Sequence, residues 1–299
     1  MNLPIVVGVD GSEQSLRAVD WAADEAELRG APLRLVYASL WERYEGALAA
    51  QELGRPLEEV MARDVVGTAE ERARLRRPDV KVTTDVLPDE PEDGLVRESA
   101  TALAVVLGCR GRSGMAEALL GSVSLAVAGH AHCPVIVLRD APDDRARAGV
   151  RGRIVLGVGE KPAGSAAVRF AVEEASLRGV PLEAVRAWRR TAHAPSGHSP
   201  FAGDAAHAEQ RQAAELLEEA LRDAPAGLKA DRRTVEGHTR DALLAASRQA
   251  GLLVVGARRR HVHFGLQLGR VAHGVLHHAA CPVAVVPEPA YVPQPDAGA

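Results

Sequence analysis

Leu103-Ala104-Val105-Val106-Leu107-Gly108-Cys109-Arg110-Gly111-Arg112-Ser113-Gly114-Met115-Ala116-Glu117-Ala118-Leu119-Leu120-Gly121-Ser122 runs from a short apolar stretch, through a glycine loop, into an apolar helix-like segment. A brief apolar run ending at a glycine fits a buried strand, and strand–loop–helix is the unit of a parallel α/β sheet. The loop itself has the spacing Gly-x-x-Gly, nine residues, then Gly-Ser. Glycines there let the backbone approach a ligand closely, and free N–H groups at the helix start face anionic oxygens. This is a phosphate-binding position, and it suggests a bound nucleotide.

The same alternation extends upstream and downstream. Leu3 to Val9 is an apolar run, followed by a helix opened by Ser12, with Leu16, Val19, Ala22, Ala23 and Ala26 on its inner face. Gly30 ends that helix and Pro32 stands just beyond. Strands are expected at Leu33 to Ala38, Val80 to Leu87, Leu103 to Gly108 and Val135 to Leu138. The helices expected between them are Leu57 to Leu75, Glu92 to Ala100 and Ser122 to Ala131. Strands separated by helices imply a parallel sheet covered on both faces, with ligands at the carboxyl ends of strands where the winding order reverses. Val9-Asp10-Gly11-Ser12 and the glycine loop are natural neighbours at such a point.

The chain is also a repeat of itself. Trp21-Ala22-Ala23-Asp24-Glu25-Ala26-Glu27-Leu28-Arg29-Gly30-Ala31-Pro32-Leu33 returns as Phe170-Ala171-Val172-Glu173-Glu174-Ala175-Ser176-Leu177-Arg178-Gly179-Val180-Pro181-Leu182, and Cys133-Pro134-Val135 returns as Cys281-Pro282-Val283. Solenoid units are roughly 20–50 residues long, so copies this large should be domains with their own cores. The expected layout is a domain over 1–140, a polar linker over 141–150, a second domain over 151–288, and a proline-rich tail over 289–299 expected to be mobile.

Composition narrows the function. The chain has 299 residues, 46% hydrophobic and 25% charged, with a net charge of −4, a pI near 6.3 and 3% aromatic residues. Without a basic footprint or stacking platforms, nucleic acid is excluded as the expected ligand. The opening Met1-Asn2-Leu3-Pro4 lacks a basic n-region with a long apolar sequel, and no apolar run is long enough to cross a bilayer, so no membrane association and a cytoplasmic protein are expected. The three cysteines, Cys109, Cys133 and Cys281, form no Cys-x-x-Cys pair and read as reduced thiols.

Val6-Val7-Gly8-Val9-Asp10-Gly11-Ser12, the glycine loop and Cys133-Pro134-Val135-Ile136-Val137 together resemble the universal stress protein family, and the tandem layout resembles its two-domain actinobacterial members. The resemblance covers both halves almost end to end. It implies two Rossmann-like domains of the adenine nucleotide alpha hydrolase type, each a five-stranded parallel sheet. It also implies ATP, with or without Mg2+, as the ligand where the full glycine motif is kept. Carried over by position, Asp10 would accept from the ribose hydroxyls, Gly8 and Val9 would line the adenosine pocket, and Ala38 would sit beside the adenine. Leu107 and Gly108 would flank base and ribose, Gly111, Arg112, Ser113 and Gly114 would wrap the phosphates, and Gly121, Ser122, Val123 and Ser124 would complete the cradle. Single-domain relatives pair through their last strand, so Val135 to Leu138 against Val283 to Val286 would make an intramolecular pseudo-dimer. A further homodimer is compatible with this.

Each residue also has a plainer reading. Asp10 can be a turn residue capping the helix near Ser12, Gly111 and Gly121 can be turn or cap glycines, and Arg110 and Arg112 can be solvated charges. The second copy breaks the motif: Arg259 stands at the second glycine, Arg270 replaces the serine, and Gly159 replaces Asp10, leaving Glu160 as the nearest acidic residue. That half is not expected to bind ATP in the usual way. Its arginines, Arg258, Arg259, Arg260 and Arg270, could instead make a different anion site or a solvated basic loop. His273 and His277 share a helix face ahead of Cys281, but no convergent ligand set accompanies them and no metal is expected. No Gly-x-x-x-x-Gly-Lys-[Ser/Thr] loop and no Gly-x-Ser-x-Gly elbow occurs, and no general base is evident. The leading expectation is an ATP-binding regulatory protein of the stress response with nucleotide in the first half and no assigned catalytic residue. The alternatives are a slow ATPase or phosphotransfer enzyme, and a ligand-free interaction scaffold.

Overall fold

The computed structural model of the chain describes residues 2–39, 57–109, 120–139, 152–189, 202–258 and 268–288. The expected linker at 141–150, the tail at 289–299 and the interiors of both glycine loops lie outside these residues.

In the first half the chain runs β1 (Ile5–Gly8), α1 (Glu13–Arg29), β2 (Leu33–Ala38), α2 (Leu57–Arg76), β3 (Val82–Leu87), α3 (Pro91–Glu98), β4 (Ala104–Gly108), α4 (Ser122–His130) and β5 (Val135–Leu138). The second half repeats this as β6 (Arg153–Gly157), α5 (Ala166–Arg178), β7 (Leu182–Trp188), α6 (Ala202–Ala220), β8 (Ala230–Glu236), α7 (Thr239–Ser247), β9 (Ala250–Arg258), α8 (Arg270–His278) and β10 (Val283–Glu288). The first strand is shorter than the run read for it, Ile5–Gly8 within Leu3 to Val9, and other boundaries move for identifiable local reasons. Val80 donates its N–H to Arg77 O in a turn, so the third strand starts later, at Val82. The helix expected to reach Ala100 tightens into a 3-10 turn over Ser99–Thr101.

The local signals behind α1 act as read. Ser12 Oγ accepts from the Ser15 N–H at 3.2 Å. Gly30 closes the helix in the left-handed region at φ 59°, and Gly179 closes α5 in the same way at φ 63°. A side chain would strain either position.

The ten strands form one sheet in the order β3-β2-β1-β4-β5-β10-β9-β6-β7-β8. Within each half every pairing is parallel. The halves join where β5 and β10 run antiparallel, with Val137 opposite Val283 and Val135 opposite Val285. Alternate residues feed two cores. Ile5, Val7, Leu33, Leu35, Ile154 and Leu156 face one side; Val6, Val36, Val105, Val135, Val155 and Val283 face the other. Burial on both faces is why the strands read as unbroken apolar runs. In each half the order reverses beside the first strand, between β1 and β4 and between β6 and β9. That reversal opens a crevice at the carboxyl edge of the sheet.

Candidate functional site

The first crevice is built from the ends of β1 and β4 and the starts of α1 and α4. Gly8, Val9 and Asp10 close β1, Leu107 and Gly108 close β4, Ala38 ends β2, and Gly121 to Ser124 open α4. The structure therefore brings these candidates to one edge. Gly111, Arg112, Ser113 and Gly114 lie outside the described residues.

Gly108 is where the backbone comes closest. A Cβ there would lie 2.9 Å from the carbonyl carbon and oxygen of Gln14, in the first turn of α1. Only glycine lets strand and helix meet at that distance. Two hydrogen bonds then fix α4 to the strand: Gly121 N–H donates to Cys109 O at 2.8 Å, and Ser124 Oγ donates to Gly108 O at 2.7 Å. Ser124 is buried, and its single hydroxyl proton is committed to that carbonyl. In this structure Ser124 holds the cradle in place, while Ser122 is exposed at the same helix start. Gly121 caps α4 in an extended conformation without a side-chain hydrogen bond, so the first N–H groups of the helix have no side-chain cap.

Asp10 fills the plainer of its two roles here. Its Oδ1 accepts from the Ser12 N–H at 2.9 Å and from Ser12 Oγ at 2.6 Å, which braces the residue that caps α1. Gly11 turns the chain at φ +81°, against Val65 of α2. Val9 continues the ladder, its N–H donating to Val36 O at 2.9 Å.

The second crevice has the same frame and other contents. Val158 N–H again donates to the strand alongside, at Val185 O, 2.9 Å away. Arg186 stands where the first half has Tyr37, and its Nη1 donates to Val158 O at 3.0 Å. Burial lowers the Arg186 pKa, and exposed Glu160 opposes that shift. The acidic residue closest to the position of Asp10 is thus drawn toward an arginine. Ala272 replaces Ser124, so the hydroxyl tie to the strand has no counterpart. Glu288, at the end of β10, reaches the start of α5. It accepts from the Ala166 N–H at 2.9 Å, the Ala167 N–H at 3.0 Å and the Ser165 hydroxyl. A Cβ on Gly256 would sit 3.0 Å from Glu288 Oε1. A carboxylate of the chain itself thus occupies the helix N-terminus next to the motif glycine. Sequence reasoning missed this, because the cap comes from a strand more than a hundred residues downstream.

Burial pushes the Cys133 and Cys281 thiols up to about 12, which disfavours the thiolate form. The His273 and His277 rings lie 4.4 Å apart, and burial first, then His273, His278 and Arg139, lowers His277. Arg139 donates to the carbonyls of Leu276 and His277 at 2.9 and 2.8 Å, tying the end of β5 to the end of α8. Among the described residues no group of three or more His, Cys, Asp or Glu side chains is placed to hold a metal ion, and no helix is long and apolar enough to cross a membrane.

A model of the Universal stress protein family matches residues 1–139 and 151–287. Universal stress protein Rv2623 of Mycobacterium tuberculosis (strain ATCC 25618 / H37Rv) is 33% identical over 299 residues, covering 96% of this chain and 97% of that protein. Universal stress protein Mb2019 of Mycobacterium bovis is 30% identical over 312 residues, covering 98% of each. Among solved structures, a universal stress protein from Archaeoglobus fulgidus DSM 4304 aligns with a TM-score of 0.66 at 17% identity, covering 95% of this chain and 98% of that one. That likeness speaks for the fold.

Proposed function

The chain belongs to the universal stress protein family in its tandem form, and we propose that it is an ATP-binding regulatory protein of the stress response whose first half alone holds the nucleotide. The observation that carries this is the close approach at Gly108, where strand, α1 and the uncapped start of α4 meet beside Asp10. An anion there gains the first N–H groups of α4 and the favourable end of its dipole. In this reading Asp10 takes the ribose, Ala38 and Leu107 the base, and Gly111 to Gly114 with Gly121 to Val123 the phosphates. Ser124 positions the helix. Any Mg2+ would be held mainly through the phosphates, since the described residues gather no carboxylate cluster around the crevice.

The units are 1–140 and 151–288, working in the cytoplasm as an internal pseudo-dimer across β5 and β10. The second unit is closed to nucleotide by Glu288, Arg186 and the lost glycine. Nucleotide stoichiometry tests the whole reading. Denaturing the purified protein should release about one equivalent of adenine nucleotide per chain, and Gly121→Trp should abolish it. Two equivalents would overturn the asymmetry, and none from wild type would favour a ligand-free scaffold.

A further inference from the structure

The helices that start at the two crevices meet near their other ends in a buried cluster of charge. Glu25 and Arg29 stand one turn apart on α1, and Glu174 and Arg178 repeat them on α5. Each arginine binds both glutamates. Arg29 pairs with Glu25 and Glu174; Arg178 pairs with Glu25, and with Glu174 at 2.7 Å. Arg29 also reaches Glu173 at the rim, at 2.7 Å. The Arg178 guanidinium lies 5.2 Å from the ring centre of Trp21, and that of Arg29 lies 5.7 Å from Phe170. The side chains of Glu25, Glu174 and Arg178 are 2%, 0% and 5% exposed, so water does not screen them.

The two buried carboxyls lie side by side. Each guanidinium spreads its Nε and Nη2 over one oxygen of Glu25 and one of Glu174, which sets the two buried carboxyls within hydrogen-bond reach of each other, while Glu173 stays exposed at the rim. Two ionised carboxylates are both acceptors and cannot make that bond. One proton between the two carboxyls makes the bond. We propose that Glu25 and Glu174 share a proton, and that this proton-linked cluster is a pH-dependent clasp between the two halves.

The groups facing Glu25 are Arg29 on its own helix and Glu174 and Arg178 on α5, with Glu173 added through Arg29. The charges of α2 turn elsewhere: Arg72 pairs with Asp20, and Arg76 and Arg77 with Asp24. Burial, and next the Glu174 charge, raise Glu25 to about 7 against the pull of Arg178 and Arg29. Burial also works against Glu174, but Arg178, the hydrogen bond with Glu25 and Arg29 together hold it below the usual carboxylate range. The folded chain therefore binds the Glu25 proton more tightly than the unfolded chain does. That contribution is complete below pH 4.5, declines as pH rises toward about 7 and is absent above. Glu174 acts in the opposite sense, and only as pH falls below 4.5.

Infrared difference spectra and thermal unfolding of the full chain, between about pH 5 and pH 8, test the clasp. Wild type should show a protonated-carboxyl band that titrates near neutrality. Its folding constant should fall on the order of a hundredfold across the window. Glu25→Gln, which keeps a neutral donor for Glu174, should lose the band and flatten the pH profile. Glu174→Gln should lose it too, because Glu25 then ionises between two arginines. A wild-type spectrum without the band overturns the proposal whether or not either variant folds. So does a band that persists in Glu25→Gln, or a variant profile that follows wild type.

Discussion

Gly108 and Gly256 occupy the same point of the same strand order, yet the first faces the backbone of α1 and the second faces a side chain, Glu288. Around Gly108 stand Asp10, Tyr37 and Ser124; around Gly256 the same positions hold Gly159, Arg186 and Ala272. Away from this edge the halves still agree. Ser99 Oγ accepts from the His132 N–H at 2.9 Å, and Ser247 Oγ accepts from the Ala280 N–H at 3.0 Å. The difference separates two constraints. The serine that accepts from a buried N–H recurs in both copies, since an unpaired buried N–H destabilises any fold. Positions at the crevice carry no such shared requirement, and in the second half they differ.

The largest test of that contrast is a valine at each glycine. Gly108→Val places a Cβ 2.9 Å from backbone atoms that cannot swing aside. It should remove the bound nucleotide and cost about 1–3 kcal/mol of stability by overpacking. Gly256→Val meets a carboxylate tip, and that side chain can move. Nucleotide content should stay unchanged, and the loss of stability should be the smaller. Nucleotide release and urea unfolding of the two variants decide this, and equal loss of nucleotide from both would erase the contrast.

Much of the fold was legible, because its signals are local or periodic. Ser12, Gly30 and Pro32 bracket α1, and β2 spans Leu33 to Ala38 as the sequence indicates. The candidate site was legible only as far as chemistry follows from spacing. Asp10 and Gly108 reach one edge because each closes a strand beside the reversal. The Ser124 hydroxyl, expected to face phosphate, instead turns inward to Gly108 O, and no spacing rule states which way a helix presents its second serine. Glu288 and the Glu25–Arg178 cluster were invisible for another reason. Their partners lie far apart in sequence, and a glutamate in an amphipathic helix reads as solvated until the facing helix is known.

A smaller effect is expected at the starts of α1 and α5, which are capped by different means. Ser12 caps from the adjoining residue, whereas Glu288 caps from the end of the sheet and ties α5 to β10. Removing either cap should cost about 1 kcal/mol. Ser12→Ala also withdraws the hydroxyl's hydrogen bond to Asp10, leaving the one from the backbone N–H, and so should weaken nucleotide retention. Glu288→Ala should leave retention alone. Retention that fell equally in both would mean that the second crevice contributes to the site.

The smallest effect comes from a charge reversal between the copies. Arg34 on β2 pairs with Asp85 at 2.7 Å and with Glu98 at 2.8 Å, while at the matching place on β7 Glu183 pairs with Arg233 at 3.2 Å and with Arg153 at 3.0 Å. Asp85 lies in register with Val36, and Arg233 with Val185, so the two pairs are the same pair with opposite sign. Glu183 is buried, but Arg34, Asp85 and Glu98 are partly exposed, which limits each pair of the first half to about 0.2–1 kcal/mol. Arg34→Glu sets three acidic groups together and should destabilise by about 1 kcal/mol. Adding Asp85→Arg recreates the arrangement of the second half and should recover part of the loss, less than all of it because Glu98 has no acidic counterpart there. Urea unfolding in low and high salt separates charge from packing, since screening should shrink the single-variant effect and leave any packing cost in place. If the double variant is no more stable than Arg34→Glu alone, the copies do not share this pair, and the reversed signs reflect two unrelated surfaces.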